Sequence, residues 1–113
     1  MNKIIKTQAV CEGTMKLLGD YWTLRIIDAL KNGEMRYCDI QRCADNVNPV
    51  TLTKRLKKLE AAKLVKRSEE TVDKISVTYD LTGLGQDVLP VIKALYQFSV
   101  KAKLNNKTTT LSD

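Results

Sequence analysis

Between Asn48 and Leu64 the chain reads NPVTLTKRLKKLEAAKL, and this run holds the side chains best suited to chemistry with a polyanion. Lys54, Arg55, Lys57 and Lys58 are cations that can hold phosphate oxygens, while Asn48, Val50, Thr51 and Lys54 carry polar and apolar groups of the kind that meet nucleic-acid base edges. Cys11 is the other residue with reactive potential. A thiol at the start of a helix has its thiolate favoured by the helix dipole, although the adjacent Glu12 opposes this. Oxidant sensing at Cys11 and a buried thiol packed at a subunit interface are both open on the sequence.

The spacing within the basic run indicates how it must be held. Asn48 can cap a helix by accepting from its free first-turn amides, and Pro49 fits the first helical position, where no N–H is needed. Leu52, Leu56 and Leu59 recur at i, i+4 and i+7 on one face. Val50, Lys54, Lys57, Lys58 and Ala61 fall roughly opposite, with Thr51 and Arg55 on the flanks. The spacing predicts a helix over 48–64 with an apolar stripe on a core and a basic face outward. Such a face suits phosphates, or is simply a solvated surface. Arg55, being on a flank, has two readings: a phosphate contact, or an internal ion pair with Asp28 or Glu60.

Composition limits the alternatives. The chain has 113 residues, enough for one core, with a formal net charge of +6, 43% hydrophobic and 28% charged residues. The positive balance fits a polyanion partner. No apolar run is long enough to span a bilayer, and MNKIIKTQAV lacks the apolar core and cleavage site of a secretory signal, so a cytoplasmic protein is expected. Three cysteines and no histidine support neither a disulfide framework nor a zinc site, and Cys38 and Cys43 read as core thiols. Without histidine, a glycine-rich phosphate loop or metal-ligand spacing, no enzyme, cofactor or metal is expected.

The elements that position these residues follow in order. Cys11–Leu18 reads as a short helix closed by Gly19, and Asp20 can cap a central core helix from Tyr21 to about Asn32, ended by Lys31-Asn32-Gly33. Trp22 reads as a core residue. A short extended stretch at 35–37 leads to a helix over 38–44, and Asp45-Asn46-Val47 turns into the helix at Asn48. That is the helix-turn-helix arrangement, whose second helix enters the DNA major groove N-terminus first. Period-two alternation at Val65–Glu70 and Val77–Leu81 then predicts a β-hairpin with its loop at about 71–75, where a winged helix carries its wing. Thr82 can cap a last helix over 83–103, which Pro90 should kink or restart. This helix carries more apolar residues than one core-facing stripe needs, so Val88, Val91, Ile92, Leu95 and Phe98 are expected to cover a second copy in a homodimer. The fold class expected is mainly α with a small β-hairpin, a single winged helix-turn-helix domain over 1–104 with N- and C-terminal helices at the dimer interface. Residues 105–113 are expected to form a disordered polar tail.

These blocks resemble the HxlR-type family of winged helix-turn-helix transcription regulators, from Cys11 to about Phe98. The landmarks are Cys11, Gly19-Asp20-Tyr21-Trp22-Thr23-Leu24, Arg36-Tyr37-Cys38-Asp39-Ile40, Asn48 to Leu56 with Leu59-Glu60, and Val77 to Gly85. The resemblance implies homodimers that bind palindromic operators in double-stranded DNA and regulate transcription, often of adjacent genes. It also implies, for some members, a cysteine before the first helix that senses oxidants or electrophiles. Members usually have Lys where this chain has Tyr21, and often a wing proline near Ile75 that is missing here.

The DNA-facing set expected is therefore Asn48, Val50, Thr51 and Lys54 toward base edges, with Arg55, Lys57, Lys58 and Arg36 toward phosphates. Lys74 is the wing's candidate contact, although Asp73, Glu69 and Glu70 nearby repel a phosphate backbone. Repression is the default mode for a small dimer without a second domain. A small-molecule or oxidant effector is compatible with the sequence, which names none. The competing function is a winged helix used as a protein-interaction module, with the basic helix facing an acidic partner.

Overall fold

A computed structural model describes residues 11–70 and 76–103. The expected wing contact Lys74, the amino-terminal residues 1–7 and the polar tail 105–113 lie outside the described residues.

Residues 11–18 are helical (α1), and the Gly19 N–H bonds back to the Met15 carbonyl at 2.7 Å. Asp20 then caps α2 (Tyr21–Ala29): its Oδ2 accepts from the Thr23 N–H at 2.9 Å and the Thr23 hydroxyl at 2.7 Å. The α-helix stops earlier than its apolar run implies, finishing as a 3₁₀ turn at Leu30–Asn32. Gly33 follows at φ 129°, a conformation that residues with a Cβ avoid. Trp22 is only half-buried at the edge of the core, with the Tyr21 ring edge-on at 4.9 Å.

Met35–Arg36 forms β1, inside the stretch expected to be extended. Instead of a hairpin alone, the sheet has three antiparallel strands in the order β1-β3-β2, with β2 Val65–Glu70 and β3 Ser76–Leu81. Met35 pairs with Tyr79 and Arg36 with Thr78, while Val65 faces Leu81 across the hairpin. The stretch at 35–37 is expected to be extended, but two strand residues are too few to show which strand they pair with.

Next come α3 (Tyr37–Cys43) and α4 (Pro49–Ala61). Cys38 and Cys43 are exposed, contrary to their reading as core thiols. The buried side of α3 is taken by Ile40, and Ala44 and Val47 continue that surface through the turn. Between the helices Asp45 and Asn46 adopt φ 63° and 55°, the left-handed region that short polar side chains tolerate best after glycine. α4 ends three residues sooner than the expected Leu64, with Lys63 at φ 63°. There the Leu64 N–H reaches the Leu59 carbonyl and the Lys63 N–H the Glu60 carbonyl, both at 3.0 Å, which satisfies two carbonyls of the last turn.

The expected last helix is two helices, α5 (Gly83–Gln86) and α6 (Leu89–Lys101). Pro90 sits in the first turn of α6, where its missing N–H costs nothing, so the proline marks a start and not a kink. Thr82 caps α5, accepting from the Gly85 N–H at 3.0 Å while its hydroxyl donates to the Lys63 carbonyl at 2.6 Å. This pulls α5 so close to the end of α4 that a Cβ on Gly85 would lie 2.1 Å from the Leu64 carbonyl oxygen. Because that obstacle is backbone, Gly85→Ala should destabilise the protein by about 2 kcal/mol in urea unfolding.

The core is a single cluster: Ile26, Ile27 and Leu30 of α2, Ile40 of α3, Leu52, Leu56 and Leu59 of α4, and Leu64, Val65, Leu81 and Val88 around them. Burying each of the α4 leucines contributes on the order of 2 kcal/mol, which seats that helix firmly on α2. Among the described residues no helix is long and apolar enough to cross a membrane.

Candidate nucleic-acid interface

α4 starts as its cap residue dictates. The Asn48 Oδ1 accepts from the Val50 N–H at 2.8 Å, and Pro49 occupies the first turn. With Leu52, Leu56 and Leu59 turned inward, Val50, Thr53, Lys54, Lys57 and Lys58 are exposed and Thr51 is half-buried on the flank. Val50 is 63% exposed, a large apolar side chain left wet at the very start of the helix. Among the described residues, Lys54, Lys57 and Lys58 make no ion pair. Their charge is therefore available to an outside anion.

Arg55 differs from its neighbours. It forms a two-point ion pair with Asp20, Nε to Oδ2 at 2.7 Å and a terminal nitrogen to Oδ1 at 3.2 Å. Neither Asp28 nor Glu60 is its partner; Asp28 pairs with Lys31 at 3.5 Å. The Arg55 guanidinium, more than the Thr23 donors, holds the Asp20 carboxyl well below the usual carboxylate range, and burial only partly opposes it. One carboxylate thus caps α2 and anchors α4. With its side chain 28% exposed and its Nε and one terminal nitrogen bonded to Asp20, Arg55 docks the helix and is a paired cation, unlike the lysines beside it.

Other side chains tie α3 and the turn after it to α2 and to α4. Gln41 Nε2 donates to the Val47 carbonyl at 2.8 Å across the turn. Tyr21 donates to Asp45 at 3.1 Å, and Arg25 to the Cys43 carbonyl at 3.3 Å, where α3 ends. The Tyr37 hydroxyl lies 2.9 Å from the Pro49 carbonyl and 3.1 Å from the Thr53 hydroxyl. Sequence reasoning missed all of these. Their partners are separated by 6 to 24 positions with no local periodicity to link them.

The remaining expected residues are not all alike. Arg36 is exposed at the N-cap of α3, but it lines a polar groove of about 520 Å³ with Glu34, Asp39 and Glu70, which weakens its appeal to phosphate. Cys11 is exposed. Val91 and Leu95 are each 47% exposed and Phe98 61%, forming one apolar face of α6. Val88 is buried in the protomer's own core and Ile92 is half-buried against it, so these two have little surface left for a partner. Tyr96 and Val100 are also exposed, on a different side of the helix.

The chain has clear relatives. A family model described as HxlR-like helix-turn-helix matches residues 17–107. An HTH-type transcriptional regulator of Halalkalibacterium halodurans is 33% identical over 93 residues, covering 81% of this chain and 82% of the relative. Among solved structures, a MarR-family transcriptional regulator from Porphyromonas gingivalis superposes with a TM-score of 0.74 at 29% identity, covering 80% of this chain and 88% of the other. Diamide-treated YodB from Bacillus subtilis superposes at 0.69 with 28% identity, over 80% of this chain and 89% of YodB.

Proposed function

The chain belongs to the HxlR-like helix-turn-helix family, whose matched relatives are transcriptional regulators of winged-helix build, and from that premise we propose how it acts. It is a homodimeric repressor that binds a palindromic operator in double-stranded DNA, with α4 of each protomer in the major groove. On this reading Val50 and Lys54, with Asn48 and Thr51 beside them, face base edges, and Lys57 and Lys58 hold phosphates. Arg55 acts from behind the interface by tying α4 to Asp20. The protein works in the cytoplasm, where its DNA is.

The observation that carries this reading is the contrast on α4 between one paired arginine and three lysines with no ion-pair partner among the described residues, around an exposed valine. Cations left without partners on the face opposite a fully buried stripe suit an external polyanion. The apolar face of Val91, Leu95 and Phe98 supplies the surface for a second copy, and two copies related by a twofold axis call for a palindrome with half-sites about one helical turn apart.

Fluorescence anisotropy on duplexes tiled across the DNA flanking the protein's own gene, with a scrambled duplex at the same salt, tests the proposal. Tight binding to one or two tiles at two protomers per duplex is expected. Equal weak binding to every tile would overturn it and leave an acidic protein partner as the target of the basic helix. Salt should weaken the specific complex with a log–log slope of about −0.9 per phosphate neutralised.

The exposure of Cys11 and the similarity to YodB, solved after diamide treatment, support a thiol-responsive regulator. Diamide should then lower operator binding by wild type but not by Cys11→Ser. Because Cys38 and Cys43 are exposed too, Cys38→Ser and Cys43→Ser serve as controls and should remain sensitive. Undiminished sensitivity of Cys11→Ser would end the assignment.

A further inference from the structure

The first turn of α4 is held by a hydroxyl from the preceding helix. Tyr37 opens α3 with its ring packed against the core, and its oxygen meets both the Pro49 carbonyl and Thr53 Oγ1, at 2.9 and 3.1 Å. A carbonyl can only accept, so the single phenol proton goes to Pro49 and the Thr53 hydroxyl donates to the phenol oxygen. Residues 49 and 53 are one turn apart on α4, and the segment between them carries Val50, with Lys54 next in the chain. One side chain therefore grips both ends of the turn expected to meet DNA first.

We propose that Tyr37 is a positioning residue that sets sequence specificity, by holding the first turn of α4 at the angle at which Val50 and Lys54 register with base edges. The inference rests on the reading of α4 as the DNA-contacting helix. Its physical basis is the different distance dependence of the two kinds of contact. A hydrogen bond to a base edge weakens steeply once its distance and angle depart from narrow limits. The attraction of Lys57 and Lys58 for phosphates falls off gradually and tolerates a small tilt. Releasing the grip should therefore cost base reading while leaving backbone affinity in place. Tyr37→Phe keeps the packed ring and removes only the grip, and Thr53→Val keeps the shape of the threonine while removing its donor.

The experiment compares wild type, Tyr37→Phe, Thr53→Val and the double variant on the tight-binding tile and the scrambled duplex at one salt concentration. Tyr37→Phe, which removes both hydrogen bonds of the phenol, should lower the ratio of specific to nonspecific affinity by at least about fivefold. Affinity for the scrambled duplex and its salt slope should not change. The double variant should be no worse than Tyr37→Phe, because both substitutions break one linked arrangement. Without DNA, the first-turn amides of α4 should exchange with solvent faster in Tyr37→Phe, a readout that does not depend on the operator.

An unchanged ratio in Tyr37→Phe, alongside a wild type that discriminates, overturns the inference and leaves the DNA reading standing. Equal losses on both duplexes also overturn it, by making the tyrosine a general support of the fold. A wild type that fails to discriminate overturns the DNA reading itself, and this inference with it.

Discussion

Lys54→Ala should weaken binding to the operator by roughly 10- to 100-fold while affinity for a scrambled duplex falls far less. Lys54 projects opposite the buried stripe of Leu52, Leu56 and Leu59, just past the first turn, and has no ion-pair partner among the described residues. A side chain at that point on a helix entering the major groove by its N-terminus is placed for base edges. Lys58→Ala provides the contrast. Further along the helix, it should lose affinity uniformly across sequences and reduce the salt slope by about one phosphate contact. Competitive anisotropy with both duplexes separates the two outcomes, and identical behaviour of the two variants would mean that the helix does not enter the groove in this orientation.

Asp20→Ala should be the most damaging of the substitutions to stability, by about 3 kcal/mol in urea unfolding. The cap of α2 contributes about 1 kcal/mol, and hydrogen bonds to a charged group about 1.5 to 3 kcal/mol. Solvent reaches 28% of the Arg55 and 29% of the Asp20 side chain, which moderates the electrostatic part. Asp20→Asn, able to cap but uncharged, should lose less than the alanine variant. Acid titration identifies the cause. The pair with Arg55 depresses the folded carboxyl below its unfolded value of about 3.9. The stabilisation is then fully present above that pH and is lost as pH falls below it. Wild type should lose stability below about pH 4 more steeply than Asp20→Asn, and parallel curves would refute the linkage.

Much of this architecture was legible because its signals are local. Asp20, Asn48 and Thr82 each cap the helix that follows, and each accepts from an amide two or three residues ahead. The Leu52–Leu56–Leu59 stripe marked the buried side of α4, and strand alternation marked the hairpin. What escaped reading depends on residues distant in the chain. Arg55 and Asp20 are separated by 35 positions, so its flank location allowed an internal pair without identifying the partner. The stretch at 35–37 was legible as extended, but its pairing with the distant β3 was not. Cys38 and Cys43 were misread because composition favours buried cysteine, whereas Ile40 and Ala44 already fill the inward side. Val88, placed by pattern on an intersubunit face, lies in the protomer's own core, at the turn where the helix is interrupted between α5 and α6.

The same distinction applies to the site. The residues expected to touch DNA were visible as the start and one exposed face of a helix, whereas the contacts that aim the helix were not. Asp20, Tyr21, Tyr37 and Gln41 make those contacts, and each acts across a helix boundary. Sequence periodicity reports which side of an element faces inward. It carries no information on the hydrogen bonds that set the angle between two elements.

Methylation protection on the tight-binding tile tests most directly whether α4 reads the major groove, since guanine N7 lies in that groove and adenine N3 in the other. The account predicts two clusters of protected guanine N7 about one helical turn apart, both lost with Lys54→Ala at concentrations where the variant still binds nonspecifically. Protection confined to adenine N3, or tight binding that leaves every guanine N7 open, would contradict it.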